Sequence, residues 1–119
     1  MTDVTVKSFD ELDSYEDKGR FCYAGTSLGV TAWGMNLERF PAGYDRYPEH
    51  DHAEDGQEEV YVPIAGSATL TAGDESWELT PGTMARVGAG QTRMIVPGDE
   101  GVTMLVLGGT PGQPFTPRG

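Results

Sequence analysis

The feature that most constrains the fold is how often the apolar stretches of this sequence are interrupted. Seventeen glycines and eight prolines occur in 119 residues, and between them lie short runs rich in Val, Thr, Tyr, Trp and Met. Long stripes with a helical period of 3.6 residues do not occur between these breaks. Short strands separated by turn residues at intervals of about 8–12 residues are typical of an all-β sandwich or barrel.

The pattern predicts eight short strands and almost no helix. Only Ser8–Arg20 could be helical, because Ser8 or Asp10 could cap it, but Gly19 stops it and its apolar face is thin. Gly25–Gly29 spells the pattern of a nucleophile elbow, which requires a strand leading into a helix, and we predict no helix there. The predicted strands are Val30–Phe40, Glu49–His52, Glu59–Ile64, Ser67–Ala72, Glu75–Leu79, Thr83–Val87, Thr92–Val96 and Val102–Leu107.

The hydrophobic content, 37% of 119 residues, is enough for one packed core and too little for two. We predict an N-terminal segment at 1–27 with an edge strand or a short helix, a barrel at 28–108 and an extended tail at 109–119, which is rich in Gly and Pro. The single cysteine, Cys22, cannot form an intramolecular disulfide. A buried or edge position is the best expectation for it.

The charge balance argues against two classes of partner. Eight basic and nineteen acidic residues give a net charge of −11, which opposes both nucleic acid and an anionic membrane surface. No apolar run approaches the roughly 18 residues that would span a bilayer, and the N-terminus lacks the layout of a signal peptide. We therefore expect a cytoplasmic protein whose partner is a small molecule.

Both histidines of the chain lie in one tripeptide, His50-Asp51-His52. On a strand, residues i and i+2 point to the same face, so two imidazoles would project side by side. A carboxylate follows at Glu58 or Glu59, and two imidazoles with one carboxylate suit iron(II), with zinc, manganese or nickel as other candidates. The simpler interpretation is an exposed acidic loop without metal, since residues 41–60 hold seven acids and one base.

These residues resemble the first motif of the cupin superfamily, which runs from a Gly through His-x-His and a Glu to a second Gly. The matching positions are Gly43, His50, His52, Glu59 and Gly66. The second motif is similar at Gly73, at Pro81-Gly82 and in the strand after Gly88-Ala89-Gly90. The resemblance implies a double-stranded β-helix, or jelly-roll barrel, and it implies that His50, His52 and Glu59 are metal ligands inside the barrel.

One position departs from the family. The second motif usually supplies a fourth ligand, a histidine, and this chain has Arg93 there. A guanidinium stays protonated and cannot bind a metal. Arg93 could pair with Glu59 and take the place of the cation, or it could hold an anionic ligand beside a three-ligand metal. In a third alternative it turns out to solvent.

The choice between the two glutamates bears on assembly. The apolar residues Val60, Val62 and Ile64 share one strand face, and alternation alone places Glu58 with them in the core. The family spacing to Gly66 selects Glu59 instead. If Glu59 points inward, the three apolar residues form an outer stripe that needs a cover. We therefore predict a homodimer.

The cavity wall can be outlined from the same alternation. Gln91 shares a strand face with Arg93, and Tyr61 shares one with Glu59. We predict that Arg93, Gln91, Tyr61 and Trp77 contact a small, anionic ligand. The resemblance allows a metal-dependent enzyme of isomerase, dioxygenase or decarboxylase type. The alternative is a non-enzymatic cupin that binds or senses a small molecule, with a structural metal or none.

Overall fold

The computed structural model describes residues 2–15 and 19–116. Strands dominate these residues, which confirms the all-β prediction. A 3-10 helix covers Phe9–Glu11, and one short α-helix, α1, covers Ala24–Leu28. No helix in the described part of the chain is long and apolar enough to cross a membrane. The strands are β1 (Ser14–Tyr15), β2 (Phe21–Cys22), β3 (Gly34–Phe40), β4 (Glu58–Ala72), β5 (Glu75–Leu79), β6 (Ala85–Val87) and β7 (Met94–Gly109).

All pairings between these strands are antiparallel. The order in the sheet is β1-β2-β3-β7-β4-β5, and β6 also pairs with β4. The two longest strands, β4 and β7, pair from Glu58↔Gly109 at one end to Thr71↔Met94 at the other. Because both are long and bent, they pass from one side of the barrel to the other, and β3 and β5 extend the sheet at their flanks.

The predicted breaks at Ala65-Gly66 and at residues 97–101 do not end strands. Glu59–Ile64 and Ser67–Ala72 are parts of the single strand β4, and the two predicted strands on either side of residues 97–101 are parts of β7. The pairing register shifts between Ala68 and Gly66, where Gly66 adopts a positive φ of 71°. Glycine and proline therefore mark bends and bulges here, where the strands cross the barrel.

Two further differences concern local structure. Residues 49–52 do not form a strand, and only His50 takes part in an isolated bridge, to Arg93. The helix α1 was not predicted; it ends at Gly29, which caps it with a φ of 87°. This helix is five residues long and follows β2 in an antiparallel barrel, so Gly25–Gly29 is not the elbow of a parallel α/β sheet.

The core lies between the curved halves of the sheet. Its largest fully buried apolar side chains include Tyr61, Ile95 and Met104. A smaller cluster of Cys22, Ala24 and Leu37 fills the other face of β3 beneath α1, so the expectation of a buried cysteine is met.

The outer face of β4 carries the apolar stripe considered above. Tyr61 is fully buried on the inner face, whereas Val60 and Val62 are partly exposed and Ile64 is 39% exposed. Glu59 shares the parity of Tyr61 and points inward with it. The homodimer that this stripe suggests remains a prediction.

Gly66 offers a direct test of the bent strands. A Cβ at this position would collide with the carbonyl oxygen of Gly101, and its φ of 71° is strained for any other residue. We expect Gly66→Ala to lower the free energy of unfolding by about 2–4 kcal/mol. The matched control is Gly73→Ala, which has a φ of 59° but open space around the new methyl group, and which we expect to cost about 1 kcal/mol. Equal losses of stability in urea denaturation would contradict this account of the bulge.

Candidate metal centre

The two histidines lie in the loop between β3 and β4, and the backbone fixes both of them. The amide of His50 donates to the carbonyl oxygen of Arg93 at 3.1 Å, and the amide of Arg93 donates back at 2.9 Å. The amide of His52 donates to the carbonyl oxygen of Ala89 at 2.7 Å. The two imidazole rings stand 5.1 Å apart between centroids. Main-chain pairing with the start of β7 therefore places the rings side by side, although the segment is not a regular strand.

Glu59 supplies the carboxylate of the cluster. Its Oε1 lies 3.4 Å from Nε2 of His52 and 3.8 Å from Nε2 of His50. The ligand atoms of the three residues all lie within 4.8 Å of one another, so one ion could contact all of them. Glu58 points away from this cluster and accepts hydrogen bonds from Nε and Nη2 of Arg86 at the surface. The glutamate given by the family spacing, and not the one given by alternation, lies beside the histidines.

The second nitrogen of each imidazole is already engaged. Nδ1 of His50 lies 3.0 Å from the carbonyl oxygen of Pro48, which can only accept a hydrogen bond, so this nitrogen carries a proton. Nδ1 of His52 lies 3.2 Å from Oδ1 of Asp55, and the side chain of Gln57 donates to the same carboxylate. A neutral imidazole held in this way presents the lone pair of Nε2 to the cluster. The donor set therefore fits a divalent metal.

The charges of the cluster support one another. Burial acts to raise the pKa of the Glu59 carboxyl, but the adjacent His50 and the charges of His52 and Arg93 outweigh it, so the pKa is lowered. The same carboxylate raises the pKa of His50. The hydroxyl of Tyr61 donates to Oε1 of Glu59 at 2.9 Å. Glu59 is thus held as an anion.

Arg93 lies behind this carboxylate and is fully buried. Its Nη1 is 3.8 Å from Oε1 of Glu59, and its Nη2 donates to the carbonyl oxygen of Gly88 at 3.1 Å. The alternative in which Arg93 turns out to solvent is therefore wrong. The distance to Glu59 exceeds the 2.7–2.9 Å of a charge-assisted hydrogen bond, and Nε and Nη1 of the guanidinium have no hydrogen-bond partner among residues 2–15 and 19–116.

A cavity of about 530 Å³ opens in front of the three residues, and His50, His52 and Glu59 form part of its wall. The four residues predicted to contact a ligand do not line it. Tyr61 and Arg93 are buried behind Glu59. Gln91 is exposed in a turn and donates to the carbonyl oxygen of Thr92.

Trp77 lies on β5, where it is 46% exposed, outside the residues that form this wall.

Comparison with known proteins agrees with this architecture. No protein-family model matches the sequence, and none of the curated proteins compared with it matches. A cupin protein from Bacteroides fragilis has 21% sequence identity and a TM-score of 0.64 over 93% of both chains. A sugar phosphate isomerase of the cupin superfamily from Silicibacter pomeroyi DSS-3 has 26% identity and a TM-score of 0.63. This chain has the fold of the cupin superfamily.

The extent of each match limits what it conveys. The match to the Silicibacter pomeroyi isomerase covers 74% of this chain but only 57% of the isomerase. KdgF from a Halomonas species is 14% identical, with a TM-score of 0.59 over 66% of this cupin and 69% of KdgF. At such identities the likeness to KdgF and to the Bacteroides fragilis protein concerns the fold alone.

One buried acid in the cavity of this cupin is not among the residues predicted from the sequence. Glu38 lies on β3, is 6% exposed, and its Oε1 has no hydrogen-bond partner in the described part of the chain. It lines the cavity with Gly34 and Asn36, whereas Leu37 belongs to the smaller core cluster, and Met35 packs against that cluster while also contributing to the cavity wall. The alternation of polar and apolar residues along this strand was a signal that could have found it.

The environment of Glu38 keeps its carboxyl neutral. Burial, together with the negative charge of Glu59, raises the pKa of Glu38 to about 8. A neutral carboxylic acid can donate a hydrogen bond, which a carboxylate cannot. Near neutral pH the wall of the cavity therefore offers one donor opposite the anionic Glu59.

This pKa has a consequence for stability. The folded pKa of about 8 lies above the ordinary value of 4.5, so ionisation is harder in the folded state. The contribution of Glu38 is fully present below pH 4.5 and is lost as the pH rises toward 8, by no more than about 5 kcal/mol. Glu38→Gln removes the titrating group, so the unfolding free energy of the chelator-treated variant should fall less over this range. Parallel pH profiles for the variant and the parent would refute the assignment.

Proposed function

We propose that this cupin binds a divalent metal through His50, His52 and Glu59 and holds a small anionic molecule in the adjoining cavity. The observation that carries the proposal is the convergence of two imidazole Nε2 atoms and one carboxylate oxygen within 4.8 Å, at the wall of a cavity of about 530 Å³. Iron, zinc, manganese and nickel are all compatible with two imidazoles and one carboxylate. Three protein ligands leave coordination positions open on the cavity side.

A bound metal would act as a Lewis acid toward an oxygen of the ligand, or in the case of iron would react with dioxygen. The residues of the chain have distinct parts in this proposal. The carbonyl of Pro48 and the carboxylate of Asp55 orient the imidazoles, and the hydroxyl of Tyr61 orients the carboxylate of Glu59. Rigid orientation of ligands raises metal affinity because little conformational entropy is lost on binding.

Local charge supports an anionic ligand even though the whole chain carries a charge of −11. A divalent ion and the guanidinium of Arg93 together outweigh the carboxylates of Glu59 and Asp55, so the loaded site is net positive. Arg93 has no exposed surface and does not line the cavity. Its contribution is therefore an electrostatic attraction across Glu59, in place of the direct contact with an anionic ligand considered from the sequence.

The relatives support an enzyme as one version of this function, since one of the similar structures is a sugar phosphate isomerase. A second version is a non-enzymatic cupin that binds its small molecule with a structural metal or none. The observation that favours the second version is Arg93, because a cation 3.8 Å from Oε1 of Glu59 weakens the attraction of that carboxylate for a metal. Metal content identifies the version without metal. Removal of the metal separates the other two, since it should lower the melting temperature sharply if the metal is structural and leave the barrel folded if the metal is catalytic.

The two adjacent glutamates provide a matched test of the metal site. We expect the protein, purified without a polyhistidine tag, to bind one divalent ion per chain. Glu59→Gln and the double variant His50→Ala/His52→Ala should lower metal occupancy by at least about tenfold, because these variants lack one or two of the three protein ligands. Glu58→Gln should retain full occupancy, since Glu58 pairs with Arg86 at the surface. Elemental analysis after dialysis gives the occupancy, and full occupancy in the double variant would exclude this site.

Arg93 can be tested by two substitutions that separate its charge from its position. Arg93→Met removes the cation, so we expect tighter metal binding, by about tenfold, because Glu59 then attracts only the metal. Arg93→His also adds a fourth donor and should tighten binding further. Calorimetric titration with Zn²⁺ or Mn²⁺ gives the affinities. Weaker binding in both folded variants would show that Arg93 helps the site to bind metal.

A further inference from the structure

The wall of the cavity combines side chains of two kinds. The imidazoles of His50 and His52 and the acids Glu38 and Glu59 form its polar part. Trp33 and Phe115 line the wall beside Gly34, the first residue of β3, and we call this part the aromatic end. A wall with a polar and an aromatic part fits a molecule with the same division.

The aromatic end is formed by two segments that are distant in sequence. Trp33 directly precedes β3, and Phe115 lies in the C-terminal segment after β7. A Cβ at Gly34 would lie 2.9 Å from Cε1 of Phe115, so this ring rests against backbone that carries no side chain. The segment is fastened at its start by Thr110, whose hydroxyl donates to the carbonyl oxygen of Asp55 at 2.8 Å.

Trp33 is 45% exposed, which is a large fraction for an indole at the wall of a cavity. An aromatic side chain that remains half in water gains free energy when a flat apolar group covers it. A ligand that fills the cavity provides such a cover.

We propose that the small molecule bound by this cupin is amphipathic, with a carboxylate or carbonyl head at His50, His52 and Glu38 and a flat, apolar body against Trp33 and Phe115. The position of the head rests on the proposed function. The position of the body rests on the aromatic end of the cavity alone.

The chemistry of Glu38 agrees with this orientation. Its side chain is buried in the cavity wall, and its Oε1 has no partner within the described residues. Buried polar atoms in proteins are nearly always hydrogen-bonded, so an unpartnered one at a cavity wall indicates the position of a ligand atom. When it is protonated, Glu38 donates to an oxygen acceptor, and a carboxylate or carbonyl head provides one.

Three simple probes separate the two parts of the proposed ligand. Benzoate carries both head and body, acetate carries only the head, and benzyl alcohol has the body without the carboxylate. We expect benzoate to bind at least about tenfold more tightly than either of the others to the metal-loaded protein, because each lacks one set of contacts. Calorimetric titration measures the affinities, with metal content determined on the same samples.

The two tryptophans of the chain provide a matched pair of variants. Trp33 and Trp77 are exposed to nearly the same extent, 45% and 46%, but only Trp33 lines the cavity. We expect Trp33→Ala to weaken benzoate binding by about three- to tenfold, the range for one aromatic contact. Trp77→Ala should leave the affinity unchanged. Phe115→Ala provides a second test if Trp33→Ala does not fold by circular dichroism.

The proposal is overturned if benzoate binds no more tightly than acetate, or if loss of Trp33 or Phe115 leaves its affinity unchanged. If either result is obtained with protein that holds one metal ion per chain, the proposed metal site stands and only the apolar body of the ligand is rejected. Loss of metal with retained benzoate binding that depends on Trp33 supports the apolar body and rejects the metal.

Discussion

Four polar side chains face a single atom, Oε1 of the largely buried Glu59. Tyr61 donates a hydrogen bond to it, and His50, His52 and Arg93 place nitrogen atoms 3.4–3.8 Å away. A carboxylate in a protein interior is costly unless nearby groups compensate its charge. Compensation of this charge organises the site, because it requires both the loop that carries the histidines and the residues around the start of β7 to approach β4. Whatever cation completes the cluster acts on an oxygen that the protein has already oriented.

Much of this arrangement follows from local sequence. Alternating residues and turn formers predicted the strands, and the pair of histidines indicated a metal site. The resemblance to the cupin motif, through the spacing of Glu59 to Gly66, selected the glutamate that lies beside them. The length of β4 and β7 could not be predicted from the sequence. Gly66 lies in a bulge and not in a turn, and only its contact with Gly101 on the partner strand distinguishes a bulge from a turn at this position. Local patterns identify breakers, whereas tertiary pairing decides whether a strand continues through them.

The ligand contacts were harder to predict for a related reason. Strand alternation predicts the face on which a side chain lies, but not how deep in the barrel it lies. Tyr61 does lie on the inner face, but behind Glu59 and not in the cavity wall. Trp77 lies on a strand at the end of the sheet order, where one face meets solvent. Phe115 reaches the cavity only because the chain after β7 turns back toward Gly34. That return is set by long-range contacts and leaves no periodic signal in the sequence.

The two hydrogen bonds between the main chains of His50 and Arg93 use no side-chain atoms. The frame that holds the imidazoles is therefore independent of which side chain occupies position 93. An exchange of arginine for histidine there would alter the number of donors while the loop, the strand and the carboxylate kept their places. A single substitution at this position could thus change how tightly the site holds an external ion without requiring the barrel to be rebuilt.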